Sequence, residues 1–195
     1  LDTTRADAMN PKRTPAFEAI AKAGRRFTRA HATVPETLPS HASMMTGLYA
    51  GGHKVHENGR FLTTTHPVLA EELKKAGYNT GAVVSAFVLA KRFGLARGFD
   101  VYDDEMSDGT NERDGAATTD KAIAHVKTLS ADKPAFLWTH YFDAHAPYAP
   151  PEPHLTAAGG QPYLGEVAFA DSQMGRLITA FRAAAAGAGR EAAVV

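Results

Sequence analysis

The sequence predicts an α/β fold, with a sheet layered between helices. Short apolar runs typical of buried strands alternate along the chain with longer runs in which apolar residues recur at steps of three and four, as they do in helices. This alternation is the pattern of an α/β layer architecture. The 195 residues, of which 44% are hydrophobic and 22% charged, suffice for a domain with its own core.

Helix boundaries follow from local signals. Thr14 is a good N-cap, Pro15 suits the first helical position, and Gly24 suits the end, so a helix is predicted over residues 15–23. Three further helices are predicted over residues 67–76, 116–129 and 163–183. The last of these is the clearest, since its apolar residues form one continuous stripe.

Strands and loops fill the intervals between the helices. Apolar runs predict strands at residues 81–84 and 135–141, and Asp2 is expected at the carboxyl end of a first strand. Three other segments carry weaker expectations: an extended stretch over residues 26–34, a flexible pair at Gly51-Gly52, and an acidic loop over residues 103–114. The terminal residues 192–195 are apolar and are typical of the start of a buried strand.

Composition excludes several classes of protein. Lys plus Arg equals Asp plus Glu, at 21 each, so no overall field favours nucleic acid or an anionic membrane surface. The chain has no cysteine, which excludes a disulfide framework and a thiolate metal site. No apolar run reaches the roughly 18 residues of a membrane-spanning helix. Nothing in the sequence indicates an oligomeric state.

One segment contains a candidate catalytic nucleophile. Residues 37–49 read TLPSHASMMTGLY, and they place the hydroxyl of Thr37 just before Pro39-Ser40, a pair that can open a helix. The free N–H groups at the start of a helix attract anions. A side-chain oxygen held beside such positive charge can act as a nucleophile in ester or acyl transfer.

Residues 37–49, together with residues 1–7 (LDTTRAD) and 140–151 (HYFDAHAPYAPP), resemble the sulfatase family of the alkaline phosphatase superfamily. The resemblance extends through residues 14–24, 69–80 and 93–104. It implies an alkaline-phosphatase-like sheet with helices on both faces, incomplete at the C-terminus. Residues 1–195 would then be the N-terminal part of a single sulfatase-like catalytic domain, and further metal ligands would follow the chain's last strand.

The resemblance also assigns the nucleophile. Thr37 occupies the position at which sulfatases carry a Cys or Ser that is oxidised to formylglycine. Threonine cannot form that aldehyde, so it lacks the second hydroxyl that expels sulfate by elimination. A phosphorylated threonine can instead be hydrolysed by an activated water. The sequence therefore favours phosphate esters or phosphodiesters over sulfate esters.

Four other residues complete the predicted catalytic and substrate-binding groups. His41 replaces an arginine of the family motif and is either a general base for Thr37 or a structural histidine at the helix start. His53 and Asn58 match a region expected to bind substrate, where the amide of Asn58 can donate to an ester oxygen. His145 is expected to protonate the leaving oxygen or to bind the ester anion.

Asp2 is the predicted metal ligand, with Asp7 expected to pair with Arg5 instead. The cofactor implied is a divalent ion: calcium, magnesium, manganese or zinc. The predicted activity is metal-dependent hydrolysis of a small-molecule, glycan or lipid ester, outside the cytoplasm, as the family resemblance implies. Two alternatives remain: a transferase that moves a phosphoryl-linked group to an envelope glycan, and an inactive binding domain that keeps the fold.

Overall fold

The computed structural model describes residues 1–107 and 109–195, and over them the chain has the α/β fold that the sequence predicts. Contacts divide the chain into two compact units. The first unit comprises residues 1–28, 113–128 and 140–195, and the second comprises residues 29–112 and 129–139. Asp108, in the predicted acidic loop, lies outside the described residues. The single catalytic domain stays a prediction.

The second unit contains a parallel sheet of three strands: β1 (Asn79–Val83), β2 (Val101–Asp103) and β3 (Ala135–Thr139). The strand order is β2-β1-β3, so β1 is paired on both edges. Residues 80–83 of this central strand are buried. The uninterrupted apolar character of a strand in a parallel sheet reflects this burial on both faces.

Three helices accompany this sheet: α2 (Thr37–Thr46), α3 (Ala50–His53) and α4 (Leu69–Lys75). Helix α4 packs against β1, and α2 packs against α3 and α4. The core between these elements is apolar; its largest fully buried members are Leu38, Val55, Val68, Val84, Leu89 and Leu95. Two short 3-10 helices, Phe87–Leu89 and Lys91–Phe93, lie in the connection between β1 and β2.

The first unit is helical. It contains α1 (Pro15–Ala23), α5 (Gly115–Val126), α6 (His154–Ala157) and α7 (Pro162–Gly187), and α7 contacts each of the other three. A short 3-10 helix, Ala6–Ala8, precedes them. Asp171 of α7 is fully buried, and its carboxylate accepts hydrogen bonds of 2.9 Å from the N–H groups of Ala16 and Phe17. It therefore caps the start of α1.

The predicted helices are all present, with α1 matching its predicted bounds. Helix α4 is shorter than residues 67–76, while α7 is longer than residues 163–183. Helix α5 begins and ends earlier than residues 116–129. Thr14 does precede α1, but its hydroxyl donates to the main-chain oxygen of Asn10 rather than to the helix.

Several expectations were wrong. Gly51 and Gly52 lie inside α3 rather than in a flexible link. Residues 26–34, expected to be extended, are interrupted by a turn at 28–29 and a bend at 33–34. Residues 192–195 and Asp2 lie in no strand. Strand β1 starts two residues before the predicted run, β3 ends at Thr139, and β2 was not predicted. Within the described residues, no helix has the length and apolarity needed to span a membrane.

Candidate active site

The start of α2 holds the predicted nucleophile. Thr37 is the first residue of α2 and is half-buried, so the helix begins two residues earlier than the Pro39-Ser40 pair suggested. Pro39 is tolerated as the third residue because the first four N–H groups of a helix have no partner within it. The N–H of Leu38 donates instead to Oδ1 of Asn58, at 2.9 Å.

Asn58 joins two segments at this helix start. Besides accepting from Leu38 through its side chain, it donates its main-chain N–H to Oε2 of Glu36, at 2.7 Å. Glu36 is the N-cap residue of α2, although its own side chain makes no capping bond to the helix. The side-chain oxygen of Asn58 is thus used in orienting the residues around Thr37. That the amide nitrogen of Asn58 donates to an ester oxygen stays a prediction.

His41 lies one turn along α2 from Thr37. Its Nδ1 is 2.7 Å from the main-chain oxygen of Thr37, and the residue is 8% exposed. A carbonyl oxygen only accepts, so Nδ1 carries a proton. The ring of Trp138 lies 5.6 Å away. These contacts fit the structural alternative for His41, and any action as a base falls to Nε2.

His53 lies at the end of α3 and is buried, with 1% exposure. Its Nδ1 accepts the N–H of Val55 at 3.1 Å, and its Nε2 lies 3.0 Å from Oγ of Ser43. Burial, followed by the charge of His56, lowers the pKa of His53, so the ring is neutral with its proton on Nε2. Both ring nitrogens are engaged within the protein. The structure therefore favours a structural His53 over the predicted substrate ligand.

Asp2 belongs to the first unit. Its main-chain N–H donates to the oxygen of Tyr141 at 2.9 Å, and its Oδ1 accepts the N–H of Thr3 at the same distance. Its Oδ2 lies 3.3 Å from Nε2 of His140. Burial is the main cause that lowers the pKa of His140, so a neutral ring donates to the carboxylate. As expected, Asp7 pairs with Arg5.

The residues around Asp2 do not make up a metal site on their own. A hard divalent ion takes several oxygen or nitrogen ligands, whereas Asp2 and His140 are two. Throughout residues 1–107 and 109–195, no group of three or more His, Cys, Asp and Glu side chains is arranged to hold a metal ion. The metal role of Asp2 therefore stays a prediction.

His145 is exposed and lies in the turn that follows β3, six residues beyond the end of the strand. Its ring stacks on Phe142, with centroids 4.2 Å apart and planes 16° from parallel. Its Nδ1 lies 2.8 Å from the main-chain oxygen of Ala146. The proton on Nδ1 is thus held by the backbone, and Nε2 is the atom that can exchange a proton with a ligand.

Asp143 is a residue whose importance the sequence did not indicate. Its Oδ1 accepts the N–H of Gly115 at 2.6 Å, while its Oδ2 is buried without a hydrogen-bond partner among the described residues. Burial, opposed by the Gly115 bond, raises the pKa of Asp143 to about 6. A carboxylate two residues before a predicted catalytic histidine is a usable signal, but its burial depends on α5, far away in sequence.

The predicted site residues are thus divided between the two units. Thr37, His41, His53 and Asn58 lie in the second unit, and Asp2 and His145 lie in the first. Within the second unit, the structure brings Thr37, His41 and Asn58 together at the start of α2. Within the first, it pairs Asp2 with the buried His140.

Comparison with known proteins assigns the family. Residues 2–187 match the profile of the family described as Sulfatase. The chain belongs to the sulfatase family. No curated protein matches its sequence.

Solved structures agree on the fold of this sulfatase-family chain. The yidJ protein of Bacteroides fragilis has a TM-score of 0.73 at 20% identity, over 94% of this chain and 57% of that chain. The phosphonate monoester hydrolase of Agrobacterium radiobacter has a TM-score of 0.70 at 18% identity, over 90% and 55%. The lipoteichoic acid synthase LtaP of Listeria monocytogenes has a TM-score of 0.63 at 18% identity, over 88% and 46%. The chain therefore spans about half the length of each.

Proposed function

We propose that this protein hydrolyses phosphate monoesters or phosphodiesters through a covalent intermediate on Thr37. The observation that supports the proposal is the position of Thr37 at the first residue of α2, half-buried and held by the contacts of Asn58 and Glu36. A hydroxyl at a helix start is close to N–H groups that stabilise negative charge. No cysteine exists that could be converted to formylglycine.

The proposed reaction has two displacements at phosphorus. In the first, the Thr37 oxygen forms a bond to phosphorus, its proton passes to a base, and the ester's alcohol leaves. His145 donates a proton to that leaving oxygen through Nε2. In the second, water attacks phosphorus, the bond to Thr37 breaks, and the threonine hydroxyl recovers a proton.

Sulfate esters are expected to be poor substrates. A sulfated threonine has a single oxygen on its β carbon, so it cannot eliminate sulfate by forming a carbonyl. Release would need attack at sulfur, whereas a phosphorylated threonine can be hydrolysed in line at phosphorus. The preference for phosphate therefore follows from the side chain at position 37.

Sulfatase-family enzymes are typically dependent on divalent metal and often act outside the cytoplasm. We extend both properties to this protein as proposals, with Asp2 as one ligand of calcium, magnesium, manganese or zinc. Since Asp2 and His140 do not form a complete site, calorimetry on this chain should show no micromolar binding of calcium or manganese. Micromolar binding would contradict this expectation.

The test is a comparison of p-nitrophenyl phosphate, bis-p-nitrophenyl phosphate and p-nitrophenyl sulfate in the intact natural protein with each divalent ion. We expect kcat/KM for a phosphorus ester to exceed that for the sulfate. Acid quenching during turnover of a phosphorus ester should trap phosphate on Thr37. A higher kcat/KM for the sulfate ester would refute the proposal.

A second candidate is transfer of a phosphoryl-linked group to an envelope glycan. The observation that favours it is the likeness to LtaP, whose name is lipoteichoic acid synthase. Transfer and hydrolysis share the Thr37 intermediate and differ only in whether a sugar hydroxyl or water attacks it. Adding glycerol or a sugar alcohol as acceptor would separate them: a transferase forms a new phosphodiester, and a hydrolase releases phosphate. An inactive binding domain would do neither.

A further inference from the structure

The loop that carries His145 is tied at both ends by carboxylates. Residues 143–149, which we call the histidine loop, run from Asp143 to Ala149, and residues 145–149 are all exposed. Exposed loop segments are mobile unless their backbone groups are held. Here two carboxylate side chains hold the loop to two different helices of the same unit.

Asp143 fixes the first end. Its Oδ1 accepts the N–H of Gly115, the first residue of α5, at 2.6 Å. The approach is close: a Cβ on Gly115 would lie 2.8 Å from each oxygen of Asp143. A glycine is therefore required at the start of α5 for this contact to form.

Glu166 fixes the second end. This residue lies in the second turn of α7, is 6% exposed, and accepts the N–H of Ala149 through Oε1 at 2.7 Å. Beside it, a Cβ on Gly165 would lie 2.7 Å from Cγ of Pro150. Ala149 and Pro150 thus pack closely against α7, and the hydrogen bond from Ala149 to Glu166 fixes where along the helix they lie.

The ring of His145 depends on the backbone between these two ends. Its Nδ1 is held by the main-chain oxygen of Ala146, and its face stacks on Phe142. Tyr148 contacts Tyr163 of α7, with ring centroids 5.5 Å apart. A shift of the loop backbone would therefore move Nε2 of His145 directly.

We propose that Glu166 is a positioning residue for His145, acting through the N–H of Ala149. This inference rests on the proposed role of His145 as proton donor. Burying a carboxylate costs free energy, and at Glu166 this cost is offset by a bond that orders an exposed loop. Loss of the bond should leave α7 intact and allow His145 to move. Displacement of a catalytic group by about 1 Å can lower a rate about 10²-fold.

The test uses two variants at position 166. Glu166→Met keeps the volume and removes the acceptor, whereas Glu166→Gln keeps an acceptor oxygen and removes the charge. We expect Glu166→Met to lower kcat by about 10- to 100-fold for an alkyl phosphodiester, which needs a proton on its leaving oxygen. The loss should be much smaller for bis-p-nitrophenyl phosphate, whose leaving group needs none. Glu166→Gln should restore most of the rate.

Asp171→Ala is the matched control. Asp171 lies on the same helix, is fully buried, and also accepts backbone N–H groups, but those belong to α1. Its loss should lower Tm at least as much as Glu166→Met does, with no dependence of kcat on the leaving group. Equal leaving-group dependence in both variants would mean that Glu166 is merely structural, and would overturn the inference.

Amide hydrogen exchange separates this inference from the proposed function. The N–H of Ala149 should exchange faster in Glu166→Met than in Asp171→Ala, whether or not any ester is cleaved. If the wild-type protein cleaves no ester, the proposed function fails, and exchange still decides whether Glu166 holds the loop. Unchanged exchange at Ala149 in Glu166→Met would overturn the inference while the proposed function stood.

Discussion

The start of α2 and the histidine loop satisfy their polar groups in different ways. Around Thr37, the polar groups pair with one another: Asn58 accepts the N–H of Leu38 and donates its own main-chain N–H to Glu36. The histidine loop is held by two carboxylates: Glu166 of α7 is buried, and the buried Oδ2 of Asp143 has no hydrogen-bond partner among the described residues. A satisfied network stabilises its fold, whereas an unsatisfied buried acid destabilises it at neutral pH.

This difference suggests a division of roles. The hydrogen bonds at the start of α2 suit a nucleophile that must stay in one place. The histidine loop carries His145, the proposed proton donor, and the loop is held by two ionisable side chains, Asp143 and Glu166. Mutations at Thr37 should therefore affect chemistry without affecting folding, while mutations at Asp143 should affect folding in a pH-dependent way.

The largest expected effect comes from Thr37→Ala. Removing the nucleophile should lower kcat by on the order of 10⁴-fold or more, because the covalent route is lost altogether. Tm should change little, since Thr37 is half-buried. The measurement is steady-state turnover of bis-p-nitrophenyl phosphate with acid-quench trapping. Thr37→Ser, which keeps an oxygen, is the matched control.

A phosphate label on Ser40 or Ser43 would contradict the choice of Thr37. Ser43 is a weak competitor, because it is 7% exposed and its hydroxyl is bound to His53. Full activity of Thr37→Ala would show that the start of α2 does not supply the nucleophile, and the proposed difference in role from the histidine loop would be wrong.

His145→Ala should have the next largest effect. A positioned acid or base contributes about 10²- to 10⁴-fold in rate, so the variant should retain some activity. The loss should grow as the leaving alcohol becomes a weaker acid, which a series of aryl and alkyl esters measures. His31→Ala, at an exposed residue of the second unit, is the control and should behave like wild type. A flat loss across the series would argue against proton donation.

Asp143→Asn should change the pH dependence of stability. Burial raises the pKa of Asp143 from 3.8 to about 6, so between these pH values the folded state holds a proton that the unfolded state releases. The free energy of unfolding therefore falls as pH rises from about 4 to 6, by on the order of 3 kcal/mol from this group. Asparagine cannot ionise, so the variant should gain stability over wild type across that range.

Urea unfolding at intervals from pH 4 to pH 7 measures this effect as the difference between variant and wild type. Asp120→Asn, at an exposed carboxylate of the same unit, is the control. A difference that does not change with pH would show that Asp143 is ionised throughout.

His53→Gln should give the smallest effect, with the opposite sign. Burial lowers the pKa of His53 below 6.5, so under acid conditions the unfolded state takes up a proton more readily than the folded state. This group therefore destabilises the protein as pH falls below about 6.5. At pH 7 the free energy of unfolding of the variant should be lower by about 1 kcal/mol, because the hydrogen bond to Ser43 is lost. Its free energy of unfolding should fall less steeply than that of wild type as the pH is lowered.

The same unfolding series checks this prediction, with His31→Gln as the exposed control. If the stability of His53→Gln falls in acid as steeply as that of wild type, other groups cause the fall. His140 is one such group, since burial lowers its pKa too.

Sequence reasoning succeeded where structure is determined locally. Helix α1 has its predicted bounds because Pro15 and Gly24 act within a turn of each end. It failed at α3, where Gly51 and Gly52 disfavour a helix intrinsically. That turn is held by His53, whose bonds to Ser43 and Val55 are tertiary contacts. Strand β2 was missed because it is three residues long and exists through pairing with β1.

The candidate site shows the same limit. Motif resemblance pointed to Thr37, Asp2 and His145 by position, but partners distant in the sequence could not be read from it. Asn58 meets Leu38 across 20 residues, and Asp143 meets Gly115 across 28. Such contacts also occupy both ring nitrogens of His53, whose role as a substrate ligand stays a prediction.

The cap that Asp171 forms on α1 has a consequence for the order of folding. The two N–H groups it receives lie 155 and 154 residues earlier in the chain. During synthesis, α1 leaves the ribosome long before its capping carboxylate exists, so its first turn depends on water until α7 has been made. Closing so long a loop is slow. We therefore expect the first unit to be completed late, and translation stalled before residue 171 to leave α1 frayed and open to proteases.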